Sequence, residues 1–209
     1  MRYRAALFRS ASCAACLLAA AVPALADTTA LPGARADEPA ISGPAESATE
    51  TRLFAALKHA ATEAEARAVE SAIWRHWIGA APDLATRQLV ERAMERRGSY
   101  DLAGARSLLD EAIIAASGYA EAWNQRGFVR FLQDDFDGAL GDVDQAIALE
   151  PRHFAAMSGR ALILMRQGRF GLAQTQLRAA VAIHPFLKER ALIAPAPADD
   201  PAPTGGVDL

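Results

Sequence analysis

The sequence predicts an all-α fold, a right-handed α-solenoid of antiparallel helix pairs. Three observations carry that expectation. The chain is 52% hydrophobic, much of it alanine, but only 7% aromatic. That mixture favours close-packed helices over a sandwich of strands rich in large side chains. Between about Glu50 and Ile193 the apolar residues recur at steps of three and four, and no segment alternates as a strand would. Finally, the chain matches itself when shifted by 34 residues, the sign of a repeating supersecondary unit.

The first segment reads as a targeting signal rather than structure. Arg2, Arg4 and Arg9 precede a short apolar run, then Pro23 and Ala24-Leu25-Ala26. A positive start, an apolar core and small residues at an A-x-A end mark a secretory signal peptide, here residues 1–26. The alternative is an uncleaved anchor, but the apolar stretch from Ala11 is short for a span and contains a proline. Both cysteines, Cys13 and Cys16, lie in this segment. Neither has the leucine three positions earlier of a bacterial lipoprotein signal. The exported chain would hold no cysteine and could form no disulfide. Loss of the three arginines takes 22 basic residues to 19 against 25 acidic, a net charge of −6, which keeps an exported domain soluble. Basic residues form no block, which argues against a nucleic-acid partner.

Residues 27–49 are rich in Pro, Gly, Ala, Ser and acid, as in "LPGARADEPAISGPAES", and read as a flexible linker. Residues 194–209, "APAPADDPAPTGGVDL", read the same way. Helices are expected over 50–85. "TRLFAALKHA" forms the first. Thr62 and Glu65 then make a capping box, in which the threonine oxygen accepts an early amide and the glutamate reaches back. The helix that follows presents Ala66, Val69, Ile73 and Trp77 on one face and runs to about Ile78. Pro82 and Asp83 suit the start of the next.

Residues 86–193 hold the repeats, about 86–119, 120–153 and 154–187, followed by a capping helix. In the second helix of each unit, Leu102/Phe136/Phe170, Ala105/Ala139/Ala173, Leu109/Val143/Leu177 and Ala112/Ala146/Ala180 fall in columns. In the first helix the columns are Leu89/Trp123/Met157, Ala93/Gly127/Ala161 and Met94/Phe128/Leu162; Pro151 and Pro185 close the last two units. The small columns have a physical reason. Helices with large residues at their crossing sit about 10 Å apart, and small ones let them come nearer. A glycine such as Gly127 costs about 1 kcal/mol of helix propensity relative to alanine, which only a packing gain can offset.

This pattern resembles the tetratricopeptide repeat, a 34-residue helix–turn–helix unit with W-x2-L-G, then A-x3-F, then A, then P. The middle unit carries Trp123, Arg126-Gly127, Ala139, Val143, Ala146 and Pro151, and the third keeps Ala173, Ala180 and Pro185. The resemblance covers about half the chain. It departs in two columns: Arg96, Arg130 and Leu164 stand where a tyrosine is usual, and Arg92, Arg126 and Arg160 precede the small residue. The second column has two readings. One is a basic stripe for an acidic partner. The other is an internal salt bridge, in which Asp142 faces Arg126; Arg92 and Arg160 face Leu108 and Gln176, so that pairing is not repeated.

The resemblance implies a non-catalytic scaffold that holds a peptide or partner protein on its inner, concave face. The inward row would be Val90, Met94 and Arg97, then Asn124, Phe128 and Phe131, then Ser158, Leu162 and Met165. Preceding helices or the tail could instead fill part of that row. A carboxylate clamp of the kind this family uses is not expected, because Lys58 and Lys188 are the only lysines and lie outside the first helices. No cofactor or metal is expected: the four histidines have no i, i+4 spacing, and no P-loop, G-x-S-x-G or G-x-G-x-x-G occurs. His153 and His184 read as polar residues at helix ends. Trp74 and Trp77, three apart, read as core rather than an exposed pair. The alternative class is a hydrolase or a small-molecule-binding regulatory subunit, which would need converging polar groups that the sequence does not display. The alanine-rich, arginine-over-lysine bias resembles a high-GC bacterium, so export implies the periplasm, with no membrane span once the signal is removed; the partner and the oligomeric state stay open.

Processing is directly testable. Intact-mass measurement of the chain recovered from the cell envelope is expected to show an amino terminus at Asp27. A mass that includes residues 1–26 would contradict both export and the cysteine-free mature chain.

Overall fold

The computed structural model describes residues 44–195, with side chains from residue 48 onward. The signal segment with Cys13 and Cys16, most of the linker and residues 196–209 of the tail lie outside the described residues. Within them the order is α1 (Pro44–Lys58), α2 (Glu63–Gly79), α3 (Leu84–Gly98), α4 (Leu102–Ala115), α5 (Ala120–Leu132), α6 (Phe136–Leu149), α7 (Phe154–Arg166) and α8 (Phe170–Ile183). No strand occurs among the described residues, and no described helix is long and apolar enough to cross a membrane.

Three pairs, α3/α4, α5/α6 and α7/α8, form the solenoid of helix pairs, with starts close to the 34-residue frame. Two boundaries differ from the sequence reading. α1 begins at Pro44, taking in the last residues assigned to the linker; proline suits the first helical position, where an amide proton has no partner to lose. The expected capping helix is a five-residue 3-10 turn, Lys188–Leu192. Only nine residues separate Pro185 from Pro195, which leaves little room for an α-helix.

Local chemistry explains the ends. Thr62 caps α2, its hydroxyl accepting from the Glu65 amide at 3.2 Å, while Glu65 accepts from the Ala61 amide at 2.8 Å, one residue before the cap. Asp83 caps α3 through the Thr86 amide at 2.7 Å. Asp101 and Asp135 cap α4 and α6 through the amides of Gly104 and Gly138. Inside each pair the turn needs one left-handed residue: Tyr100 (φ 64°), Asp134 (φ 59°) and Gly168 (φ 74°), 34 apart. Only the third pair uses glycine there, which takes this conformation without steric cost.

The small columns stand at the crossings. A Cβ on Gly127 would lie 2.8 Å from Val143 Cγ1 and 3.3 Å from the Ala139 carbonyl oxygen. Ala139, Ala146, Ala173 and Ala180 are fully buried, as are Ala93, Ala161, Ala105 and Ala112. Trp123 is half-buried, its indole N–H donating to the Ser117 carbonyl at 2.8 Å. Pro151 and Pro185 fall in the turns after α6 and α8.

The arginine column is structural where it is paired, and its pairing extends further than the sequence reading allowed. Arg126 forks onto Asp142 at 2.7 and 2.9 Å and also reaches Asp110 on the preceding α4 at 2.8 Å. Its guanidinium covers the Trp123 ring at 4.8 Å. Arg160 repeats this arrangement one pair later, with Asp144 on α6 at 2.5 Å and Gln176 on α8 at 3.3 Å. The recurring partner is thus the aspartate 16 residues before the arginine, which ties neighbouring pairs together.

The amino-terminal hairpin does not form another layer ahead of α3. Phe54, Leu57, Ala66, Ile73 and Trp77 share a core with Phe154, Met157, Ala180 and Leu187 of the last pair and its exit turn. α2 lies along the turns that join the pairs. The Tyr119 hydroxyl donates to the Ile78 carbonyl at 3.1 Å, Trp77 stacks on His153 with centroids 3.9 Å apart, and Glu70 meets His184 at 3.4 Å. The hydrogen bond from His184 draws the Glu70 carboxyl below its ordinary range, against the opposing effect of burial. α2 is therefore a strap running from the third pair back toward the second.

If Ala139 stands at a crossing, Ala139→Leu should cost about 1–3 kcal/mol by overpacking. Gln145→Leu, on an exposed position of the same helix, should cost far less. Equal midpoints in denaturant melts would contradict the close approach.

Candidate partner-binding groove

The first helices of the three pairs face one cavity of about 330 Å³. Met94 and Arg97 of α3, Asn124, Phe128 and Phe131 of α5, and Ser158 and Leu162 of α7 line it. Seven of the nine residues expected on the inward row are brought together. The other two are corrections. Val90 is wholly buried in the core of the first two pairs. Met165 packs on Ala161, Leu164, Ala173 and Leu177 inside the third pair. Val90 sits a helical step from the row, where the neighbouring helix has closed over it, and Met165, half-buried, turns to the third pair instead of the cavity.

Elements outside the repeats complete the wall. Trp74 enters from α2 and Glu189 from the 3-10 turn. The strap thus fills part of the inner face, one of the two outcomes the sequence left open. Trp77 is core, as expected. Trp74, half-buried and edge-on to Trp77 at 5.4 Å, turns to the cavity. Phe128 is the most exposed aromatic of the lining, 45% accessible. Phe131 packs edge-on against Phe136 at 5.7 Å.

Beneath the floor runs a buried polar chain that sequence reasoning missed. Glu121, in the first turn of α5, is 1% exposed, and His153 is wholly buried. His153 caps α7 by accepting the Ala156 amide at Nδ1, 3.2 Å. Its proton is therefore on Nε2, which donates to Glu121 at 3.0 Å. Asn124 and Gln125 also donate to the Glu121 carboxylate. Arg97 donates in turn to the Gln125 side-chain oxygen and covers the Phe128 ring at 4.7 Å. Burial lowers the proton affinity of Arg97, and the nearby Glu121 charge opposes that shift.

Two sequence expectations meet here. His153 and His184 are helix-end residues, capping α7 and ending α8, but both are buried by α2 and not solvated. Asn124 and Ser158 are at the wall yet nearly buried: Asn124 supports Glu121, and the Ser158 hydroxyl donates to the Ala155 carbonyl. Met94, Arg97, Phe128, Phe131 and Leu162 are left as the residues of the row able to touch a ligand. Glu121 looked like an ordinary first-turn acid, and nothing in its spacing shows that a histidine 32 residues on will cover it.

No protein-family model matches the chain. A TPR repeat-containing protein of Rhizobium etli is 32% identical over 119 residues, 56% of this chain and 57% of that protein. The chain thus spans little more than half the length of this relative. Among solved structures, the first TPR of Spaghetti (RPAP3) bound to the HSP90 peptide SRMEEVD aligns with a TM-score of 0.51 at 17% identity, over 52% of this chain and 86% of that one. The Yersinia enterocolitica type III secretion translocator chaperone SycD aligns with a TM-score of 0.49 at 17% identity, over 53% of this chain and 86% of its own.

The buried chain has a measurable consequence. Glu121→Leu leaves three buried donors without an acceptor, each worth about 1–3 kcal/mol, so a total loss of roughly 3 kcal/mol or more is expected. Glu111→Leu, on an exposed site of α4, should change stability by under about 0.5 kcal/mol. Matching urea midpoints for the two variants would show that Glu121 is solvated.

Proposed function

We propose that this chain, which has the tetratricopeptide-repeat fold, is a non-catalytic scaffold that captures a peptide or a partner protein segment on its concave face. The carrying observation is the cavity itself: Phe128, Phe131, Met94 and Leu162 supply apolar wall, and Arg97 a polar edge. Extended and helical segments are recognised by apolar anchors in such grooves, with a few polar groups fixing register. A protein of like fold binding a short peptide supports the same use. The basic start, apolar core and A-x-A end of residues 1–26 support action in a bacterial periplasm. A second reading is favoured by one feature: closure by Trp74 and Glu189 makes the cavity small enough for a small-molecule regulator.

Replacing Phe128 and Phe131 together with serine is expected to abolish peptide capture, since aromatic anchors commonly account for roughly 2 kcal/mol or more each. Circular dichroism should show the helix content kept. The outer-face pair Asp137→Ser with Gln145→Ser should bind as the parent does. Capture that survives the double serine change in a folded chain would defeat the groove.

A further inference from the structure

We propose that the groove selects a peptide segment in which a carboxylate side chain stands beside a bulky apolar one, with the acid directed to Arg97 and so toward the first helix pair. This deepens the groove reading and rests on it. Arg97 is the only cation among the lining residues. Its hydrogen bond goes to a neutral amide, Gln125, and its flat face is occupied by Phe128. A guanidinium has five donors in a fixed fork, so edges are left for an incoming ligand. The nearest carboxylate in the network, Glu121, is already held by His153, Asn124 and Gln125.

The cation is thus partly shielded by the fold and steadied through an amide, without a carboxylate hydrogen-bonded to it. An acidic side chain arriving here forms a charge-assisted, bidentate bond in a site of low polarity. Phe128, Phe131 and Leu162 take the apolar neighbour in the same step. Glu189, on the 3-10 turn that follows the third pair, is the only acid in the lining. Like charge disfavours the ligand acid at that end, which fixes one direction of binding.

The test is selection of random dodecamer peptides displayed on phage against the purified chain. Enriched sequences are expected to carry Asp or Glu within two positions of Leu, Phe or Met. A synthetic enriched peptide should lose roughly tenfold in affinity when its acid is changed to the amide, a typical loss for one charge-assisted bond. On Arg97→Met the same change should matter less than about twofold by the same reasoning. Arg97→Lys should keep the acid preference. Enriched peptides without an acid, yet lost on the double serine variant of Phe128 and Phe131, would overturn this inference and leave the groove standing. Peptides that bind the double serine variant unchanged would overturn both. The acid-to-amide change on the parent chain decides the matter even if an Arg97 variant misfolds.

Discussion

The close approach of helices at Gly127 and the alanine columns is the constraint on which the rest of the structure depends. A side chain at Gly127 would collide with Val143 and meet the Ala139 carbonyl. Because α5 and α6 sit that near, Arg126 can fork onto Asp142 from one side and reach Asp110 from the other. The pair geometry is then copied at Arg160. A buried ion pair of this kind is weak evidence for added stability, but breaking one partner leaves an uncompensated charge. Its contribution here is register: it fixes how one helix pair lies on the next, and so where the first helices point.

Upon that frame α2 does what a fourth repeat would not. A further pair would lengthen the solenoid and leave the inner face open. The hairpin instead crosses the inter-pair turns, touching Tyr119, His153 and His184 in succession. Trp77 seals His153 and, through it, the Glu121 network. One element therefore joins the second and third pairs, dries the polar chain and supplies Trp74 to the groove. The edge of the groove and its structural support are consecutive links of one chain of contacts, from Arg97 through Gln125 and Glu121 to His153.

Local and repeating features were legible in the sequence because their cause is local. The period of the columns set the helix faces, Thr62 and Asp83 marked helix starts, and the size of residue 127 announced a crossing. Seven inward residues followed from the same period. What was not legible depends on contacts between distant residues. The docking of α2 on the third pair has no sequence period, because it joins residue 77 to residue 153. The aspartates paired with Arg126 and Arg160 across neighbouring pairs were not legible for a related reason: the recurring partner stands on the preceding pair, 16 positions before each arginine, and not 16 positions after it. Val90 and Met165 were misplaced because helical period gives a face, not the depth at which the neighbouring helix covers it.

On the proposed reading a ligand enters between the first helices, under the strap, and not on the outer surface. The most direct measurement is a methyl-resolved NMR titration of the chain with a peptide that binds it. Shifts are expected at Met94, Leu162 and Ile163, which line the groove. None is expected at Ile114 and Leu172, which are exposed on the outer helices α4 and α8. Shifts confined to Ile114 or Leu172, with the groove methyls unmoved at saturation, would contradict it.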